Sequence, residues 1–114
     1  MANPVSWFEV TGPDGGVLQR FYGELFGWQV DASNPMNYGM VQAPEGGIGG
    51  GIAASQDGSA QVTFYVAVPD LQAALDTAGQ LGGKTVSPPM EVPGGPTIAY
   101  FSDPAGNRIG LMKA

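Results

Sequence analysis

The chain has 114 residues, 43% hydrophobic and 12% charged, which is typical of one globular domain and excludes a disordered segment. Its net charge of −6, with four Lys and Arg residues in all, argues against a nucleic-acid partner, because a phosphate backbone would be repelled. Cysteine and histidine are both absent, which excludes disulfides, thiol chemistry and a Ser-His-Asp triad. The start lacks a secretory signal and no apolar run could cross a bilayer, so we expect a cytoplasmic protein with no membrane partner.

The first half of the chain begins with a predicted strand and a predicted helix. Alternation over residues 5–10 predicts a strand in which Val5, Trp7 and Glu9 share one side. A helix is expected to begin near Asp14, because aspartate suits a helix N-terminus. Apolar residues then recur every three or four positions and predict a buried helix face made of Val17, Leu18, Phe21, Leu25 and Phe26.

Three short strands complete the first half, at about residues 28–32, 38–42 and 51–54. Turn-rich sequence separates them. The stretch 46–51 holds five glycines in six positions, but no lysine and no following helix, so a phosphate-binding loop is not expected. We predict a flexible turn there, which could act as a lid.

The second half repeats this order of elements. A strand is expected at about 62–68 and a helix at about 71–81. Three further strands are expected at about 84–86, 97–102 and 107–113. The buried side of that helix should carry Leu71, Leu75, Ala78 and Leu81. Four prolines between residues 87 and 96 predict an irregular or edge segment, because proline cannot donate to a central strand.

Matching landmarks indicate an internal duplication. Asp14 and Asp70 each follow a proline and stand 56 positions apart, and Gly27 and Gly83 are separated by the same interval. A unit of this size cannot bury its own apolar face, so two copies are expected to pack together. We therefore predict the α+β class, with helices on one side of a curved mixed sheet around a cavity. The predicted domain spans residues 1–114, with βαβββ modules at about 1–56 and 60–114.

Short motifs follow one another in a characteristic order along nearly the whole chain. They are Trp7-Phe8-Glu9-Val10, Asp14 with Phe21-Tyr22, Leu25-Phe26-Gly27-Trp28, the run from Phe64 to Asp70, Leu81-Gly82-Gly83 and Asp103-Pro104-Ala105-Gly106-Asn107. As a set they resemble the vicinal oxygen chelate superfamily, which holds glyoxalases, bleomycin-resistance proteins and extradiol dioxygenases. The resemblance implies two paired βαβββ modules enclosing a cavity, a homodimer and, in many members, a divalent metal bound by histidines and glutamates.

This sequence departs from the resemblance at the metal positions. Those positions lie on the first and last strand of each module and fall here on Val5, Gly50, Thr63 and Gly110. A transition metal needs imidazole, thiolate or carboxylate donors, whereas valine and glycine offer none and threonine is a poor one. Glu9 is the only acid expected on the cavity-facing strands, too few for an all-carboxylate site. We therefore expect no metal and no cofactor.

Glu9 is the candidate catalytic residue. It lies in an otherwise apolar strand, on the side that would face the cavity. A partly desolvated carboxylate in such a place can act as a general base or as an anchor for a ligand. The alternative is that Glu9 pairs with Arg108 or with a backbone amide and only orders the strand.

Aromatic, methionine and polar side chains could line the cavity beside Glu9. They share the inward direction of their strands, or would reach the cavity if the middle strands curl, and they are Trp7, Tyr38, Met40, Thr63, Tyr65, Tyr100, Arg108 and Met112. Such a lining suits a planar or apolar small molecule, with the tyrosine hydroxyls fixing its orientation. The alternative is that these groups fill the core or a dimer contact, or, for Arg108, lie solvated at a strand end.

Three functions are compatible with these residues. The first is a metal-free relative of the bleomycin-resistance proteins that binds a small apolar or aromatic molecule, and the negative charge would suit a cationic or amphipathic ligand. The second is a metal-independent enzyme of the isomerase or lyase type, with Glu9 as the proton-transfer group. The third is an assembly or regulatory domain whose cavity is filled by its own side chains.

Overall fold

Eight strands and two helices are present among residues 3–114, the part of the chain that the computed structural model describes. In chain order they are β1 (Val5–Gly12), α1 (Gly15–Phe26), β2 (Val30–Asp31), β3 (Gly39–Val41), β4 (Gly49–Ala54), β5 (Gln61–Val68), α2 (Leu71–Gln80), β6 (Lys84–Glu91), β7 (Thr97–Ser102) and β8 (Arg108–Lys113). The predicted βαβββ order is therefore confirmed in both halves. Met1 and Ala2, the start of the predicted first module, lie outside the described residues.

Two units of like topology make up these elements. The first unit is Trp7–Thr63, and the second unit combines residues 3–6 with Phe64–Ala114. In the first unit the strand order is β2-β3-β4-β1, with β1 parallel to β4 and the other neighbours antiparallel. In the second unit the order is β6-β7-β8-β5, with β5 parallel to β8 and the other neighbours antiparallel. The repeated sequence landmarks thus correspond to a repeated strand pairing.

Both helices begin at the predicted aspartates, and α1 ends at the landmark Gly27, whereas the left-handed glycine after α2 is Gly82, one residue before the landmark Gly83. The Asp14 carboxylate accepts a hydrogen bond from the backbone N–H three residues on, at 3.1 Å, and Asp70 does the same at 3.0 Å. These caps satisfy backbone donors that the first helical turn leaves unpaired. Gly27 follows α1 with φ 71°, and Gly82 follows α2 with φ 100°. Neither helix, in residues 3–114, is long and apolar enough to cross a bilayer.

Helix α1 faces its sheet with small and polar residues. A Cβ atom at Gly15 would lie 2.5 Å from the backbone nitrogen of Ala54, so glycine is what allows the helix to approach β4 this closely. One turn on, the Gln19 side chain donates to the Ile52 carbonyl at 2.8 Å. The predicted apolar face of this helix is therefore wrong. Leu18 is half-buried, and the other members are more than half exposed: Val17 (62%), Phe21 (55%), Leu25 (57%) and Phe26 (56%).

Helix α2 packs through leucines, as predicted. Leu71 and Leu75 are buried and form the core of the second unit with Val68, Ala99 and Leu111. Leu81, predicted on the same side, is 74% exposed. That prediction is wrong because Leu81 comes after the last helical residue, where the chain already turns towards Gly82 and the helical period no longer sets its direction.

Strand β6 is longer than predicted and forms the edge of the sheet in the second unit. Its pairing with β7 shifts register between Thr85 and Ser87 and again between Ser87 and Met90. Pro88 and Pro89 lie in the second of these interruptions. The backbone N–H that proline lacks is not needed there for a hydrogen bond between the strands. The prediction of an edge segment is confirmed.

Half of the glycine-rich stretch is strand. Gly49, Gly50 and Gly51 are buried residues of β4, and the turn before them has its left-handed residue at Gly46, with φ 79°. The predicted flexible lid over residues 46–51 is therefore wrong for its last three residues. A Cβ atom on each would meet an aromatic side chain: the Trp7 ring for Gly49, at 3.0 Å, the Phe8 ring for Gly50 and the Tyr38 hydroxyl for Gly51, the last two by direct overlap. At Gly50 and Gly51 an aromatic side chain occupies the space that a Cβ atom would need, and at Gly49 the Val41 carbonyl oxygen, 2.9 Å away, restricts it together with the Trp7 ring.

The turn between β7 and β8 is closed by the Asp103 carboxylate. It accepts hydrogen bonds from the side chain of Asn107, the backbone N–H of Asn107 and the backbone N–H of Ala105, each at 2.9 Å. These bonds favour the charged carboxylate, so they hold the pKa of Asp103 below 3.8, with the Asn107 side chain as the largest cause. Asp31 has its pKa lowered in the same way by Ser33.

We predict that Gly50→Ala destabilises the protein by about 1–3 kcal/mol, because the new methyl group overlaps the Phe8 ring in a packed sheet. Gly79→Ala on α2 is the matched control. Nothing lies within 4 Å of its Cβ position, so alanine there should add about 0.5–1 kcal/mol of stability. Urea unfolding followed by circular dichroism measures both, and equal effects would contradict the packing described for β4.

A second prediction concerns acid. Because the folded pKa of Asp103 lies below its unfolded value, its contribution to stability is present above that unfolded value and is lost as the pH falls through the folded pKa. Asn107→Ala should raise the folded pKa of Asp103 towards 3.8. The free energy of unfolding of this variant should then fall less than that of the wild type when the pH is lowered below 3.8. Carboxyl titration by NMR reads the change, with Asp31 as an internal control whose titration should not move.

Candidate functional site

Trp7, Tyr38 and Glu9 form a hydrogen-bonded chain in the first unit. Trp7 Nε1 donates to the Tyr38 hydroxyl at 2.9 Å, and that hydroxyl donates to Glu9 Oε2 at 2.8 Å. The direction is fixed, because an indole N–H can only donate and an ionised carboxylate can only accept. The bond to the carboxylate is charge-assisted and is the stronger of the two. The structure thus brings together the candidate catalytic residue and two of the predicted ligand-binding residues.

Two strands of the first unit position this cluster. The alternation of β1 puts Trp7 and Glu9 on the side opposite Phe8. Gly51 of β4 is the register partner of Glu9 in the parallel pair. The Tyr38 hydroxyl occupies the space that a side chain at Gly51 would take, which is how it reaches the Glu9 carboxylate.

Tyr38 is held by Asn34, a residue that the sequence analysis does not single out. The Asn34 side-chain amide donates to the Tyr38 carbonyl at 2.7 Å, and its oxygen accepts from the Tyr38 backbone N–H at 2.9 Å. Between them the chain turns through Asn37, which has φ 52°. The Ser-Asn-Pro run at residues 33–35 signals a turn, but nothing in the pattern ties Asn34 to the tyrosine four residues later.

Met40 lies on the same side of the sheet as Glu9. Both residues are register partners of Gly51, Met40 from β3 and Glu9 from β1. The Met40 side chain is 43% exposed. It therefore offers a flexible, polarisable apolar surface on the strand next to the hydrogen-bonded chain.

Tyr65, Tyr100 and Arg108 form a second cluster, which lies in the second unit. The two tyrosine hydroxyls are hydrogen-bonded to each other, and the rings meet edge to face with centroids 5.6 Å apart. The Arg108 guanidinium lies 3.8 Å from the centroid of the Tyr100 ring, a cation–π contact. Gly110 is the register partner of both tyrosines, and the Tyr65 ring fills the space above it. Both tyrosines are buried.

Thr63 and Met112 are in packed surroundings. Thr63 is a buried polar residue of the first unit. The sulfur of Met112 accepts a hydrogen bond from the Ser6 hydroxyl at 2.9 Å in the second unit. These surroundings are typical of residues that complete a core, and a ligand-binding role for either stays a prediction.

The residues at the implied metal positions do not fit a metal. Gly50 pairs with Phe8 and so lies on the side opposite Glu9. The metal position that the resemblance places on Gly50 therefore does not face the Glu9 side, because the register with β1 sets the direction of each β4 residue. The rings of Phe8 and Tyr65 also fill the side-chain space at Gly50 and Gly110. Within residues 3–114 no three acidic, histidine or cysteine side chains come together as a metal site would require.

Comparison with known proteins identifies related sequences over nearly the whole chain. A family model described as a glyoxalase-like domain matches residues 7–112. "Putative glyoxylase CFP32" of Mycobacterium bovis is 26% identical over 117 residues, which cover 96% of this chain and 45% of that protein. "Anthracycline biosynthesis protein DnrV" of Streptomyces peucetius is 29% identical over 126 residues, covering 95% of this chain and 46% of that protein. The chain thus spans about half the length of these curated relatives.

Solved structures share the fold at low sequence identity. A glyoxalase/bleomycin resistance protein/dioxygenase superfamily member from Vibrio splendidus has a TM-score of 0.65 at 15% identity, covering 99% of this chain and 100% of that one. Methylmalonyl-CoA epimerase from Mycobacterium tuberculosis has a TM-score of 0.66 at 14% identity, covering 96% and 86%. At these identities the likeness shows the fold alone, and it confirms the fold that the motifs imply.

We predict that Tyr38→Phe breaks the link between Trp7 and Glu9 and lowers stability by about 1–2 kcal/mol, because the Trp7 N–H loses its partly buried acceptor. The indole N–H resonance of Trp7 should move upfield in a nitrogen–proton NMR spectrum. Tyr22→Phe, the same change in the same unit, is the control and should leave that resonance in place. An unmoved Trp7 resonance in Tyr38→Phe would show that the hydrogen-bonded chain does not exist in solution.

Proposed function

The chain belongs to the glyoxalase-like domain family, whose model covers residues 7–112, and from this premise we propose that it binds a small molecule without a metal. The ligand class is a planar aromatic compound that carries a cationic or hydrogen-bond-donating group. The binding site is the cluster of Trp7, Tyr38 and Glu9 in the first unit. The observation that supports this most is the 2.8 Å hydrogen bond by which Tyr38, itself bonded to the Trp7 indole N–H, orients the Glu9 carboxylate.

Each residue of the cluster has a distinct part in this proposal. Glu9 is the anchor, because a carboxylate accepts several hydrogen bonds at once and attracts a cation. Trp7 supplies a flat apolar face, and its N–H bond to Tyr38 keeps the ring in place before the ligand arrives, which lowers the entropy cost of binding. Met40 adds an adaptable apolar surface on β3, on the same side of the sheet and separated from β1 by the glycines of β4.

The cluster in the second unit is proposed as a separate set of polar recognition groups. Arg108 is the half-buried member of this cluster, and the buried Tyr100 ring holds its guanidinium in place through the contact of 3.8 Å. A guanidinium held in this way recognises an acidic or hydrogen-bond-accepting substituent. Tyr65 supports Tyr100 through the hydrogen bond between their hydroxyls.

The choice of ligand class is supported by charge and by one relative. The protein carries a net charge of −6, which favours association with cations. A relative at 29% identity is named for anthracycline biosynthesis. Anthracyclines are planar aromatic compounds that carry an amine, so they combine the two properties that Trp7 and Glu9 would recognise.

An enzyme is the second candidate function. The same hydrogen bond from Tyr38 would orient Glu9 for proton transfer in a metal-independent isomerase or lyase reaction. A positioned carboxylate contributes about 10²–10⁴-fold to such a step, enough for an activated carbon acid. Any turnover of the wild-type protein that Glu9→Gln retains would dismiss this candidate. A homodimer and a cytoplasmic location stay predictions under both functions.

The binding proposal predicts a charge-dependent loss of affinity. Doxorubicin, planar and cationic, should bind the wild-type protein, and Glu9→Gln should weaken it about tenfold, the effect of losing one charged hydrogen bond. Anthraquinone-2-sulfonate, planar and anionic, should not lose affinity in that variant. Fluorescence titration and calorimetry measure both ligands.

Glu45→Gln is the matched control for this experiment. Glu45 is exposed in a turn of the same unit, and its substitution changes the net charge by the same amount. Doxorubicin affinity should stay within about twofold of wild type, since a screened surface charge contributes little. Equal losses in the two variants, or no binding of doxorubicin by the wild-type protein, would contradict the proposal.

A further inference from the structure

The turn of residues 32–38, between β2 and β3, delivers Tyr38 to Glu9, and we infer that Gln19 of α1 is the positioning residue that fixes this turn. Gln19 acts on the backbone on either side of Tyr38, so it affects the tyrosine without bonding to its ring. All of these residues belong to the first unit. The inference rests on the proposed function, since it names a residue that regulates the affinity of that same site.

One side-chain amide connects the turn to the sheet. Gln19 Nε2 donates to the Asn37 carbonyl at 3.0 Å and to the Ile52 carbonyl at 2.8 Å. A primary amide has two N–H groups, so one can serve each carbonyl. Ile52 is completely buried in β4, which makes its carbonyl a fixed reference point, whereas Asn37 belongs to the turn. Gln19 therefore ties the turn to the centre of the sheet.

The aliphatic stem of Gln19 packs against the residue that follows Tyr38. A Cβ atom at Gly39 would lie 2.9 Å from Gln19 Cγ and 2.8 Å from the Ile52 carbonyl oxygen. Glycine at this position is what allows the stem to approach the backbone so closely. The amide of Gln19 thus holds the residue before Tyr38, and its stem packs on the residue after it. One side chain fixes the backbone on both sides of the tyrosine.

Hydrogen bonds within the turn fix its shape and leave its position to other contacts. Asn34 holds the backbone N–H and the carbonyl of Tyr38, and the Asn37 N–H donates to the Asn34 carbonyl at 3.1 Å. These bonds join members of the same turn, so the turn would keep them if it moved as a unit. The bond from Gln19 to Asn37, by contrast, crosses from α1 to the turn and restricts the turn as a whole.

A recess between α1 and the turn increases the importance of this bond. It has a volume of about 350 Å³ and is lined by Gly15, Gly16, Gln19, Ala32, Met36, Asn37 and Ala54. Met36, which comes from the turn, is 71% exposed. Because the turn is not packed closely against the helix here, a polar bridge holds it in place of buried apolar surface. Loss of the bridge would leave the turn room to move.

Movement of the turn would act on the ligand site through Tyr38. Its hydroxyl donates to Glu9 at 2.8 Å and accepts from the Trp7 indole at 2.9 Å. A displacement of roughly 1 Å takes such contacts beyond hydrogen-bonding distance. The carboxylate and the indole would then be ordered only when a ligand binds, at an entropy cost that lowers the affinity. Gln19 therefore controls the affinity of the site from α1.

Gln19→Met tests this role, because methionine keeps the length of the stem and removes the amide donor. The Trp7 indole N–H resonance should move in the same direction as in Tyr38→Phe, and doxorubicin affinity should fall about fivefold, the effect of losing one neutral hydrogen bond. Gln72→Met on α2 is the matched control. It removes a side-chain bond of 2.9 Å to Asp76 and should change neither reading. A general loss of stability would lower the urea midpoint and leave the resonance of the folded protein in place.

A double-mutant cycle tests whether Gln19 acts through Tyr38. In the Tyr38→Phe background, Gln19→Met should change doxorubicin affinity by less than about 1.5-fold, since no hydroxyl is left to position. If doxorubicin does not bind the wild-type protein, the proposed function fails, and the Trp7 resonance alone decides the role of Gln19. An unmoved Trp7 resonance in Gln19→Met, or an equal loss of affinity with and without the Tyr38 hydroxyl, would overturn the inference.

Discussion

Aromatic side chains that pack against glycine residues occupy key positions on both sheets and so limit which other side chains can lie there. In the first unit the Phe8 ring fills the space above Gly50, and the Tyr38 hydroxyl fills the space above Gly51. In the second unit the Tyr65 ring fills the space above Gly110. Glycine weakens a strand, since it orders at a high entropy cost and has no side chain to pack. Burial of the rings offsets that cost, so each glycine and its ring stabilise the structure only as a pair.

The same packing changes the chemistry that the fold can carry. Of the metal positions that the resemblance implies, Gly50 faces away from Glu9, and the Tyr65 ring takes the side-chain space at Gly110. In place of a donor set, the first unit presents an indole, a phenol and a carboxylate joined by hydrogen bonds of 2.9 and 2.8 Å. Such a chain fixes the position of a negative charge next to an aromatic face, which suits recognition of a ligand and, at most, transfer of one proton.

The order of elements was open to prediction because local signals specify it. Asp14 and Asp70 cap their helices, and the two halves repeat the same landmarks. The side of α1 that faces the sheet could not be predicted from the sequence. Its close approach to the sheet depends on Gly15 and on a hydrogen bond from the Gln19 side chain, and neither residue belongs to a periodic apolar pattern. The candidate site could be predicted in part. Strand alternation puts Trp7 and Glu9 on one side, but Asn34 acts through a loop geometry that has no sequence period.

Native mass spectrometry and elemental analysis of protein purified in the presence of zinc, manganese, nickel and iron salts test the central claim most directly. We expect less than stoichiometric metal in every case and an affinity for a planar cationic ligand that a chelator does not change. One metal ion retained per chain, with ligand binding lost on chelation, would contradict it.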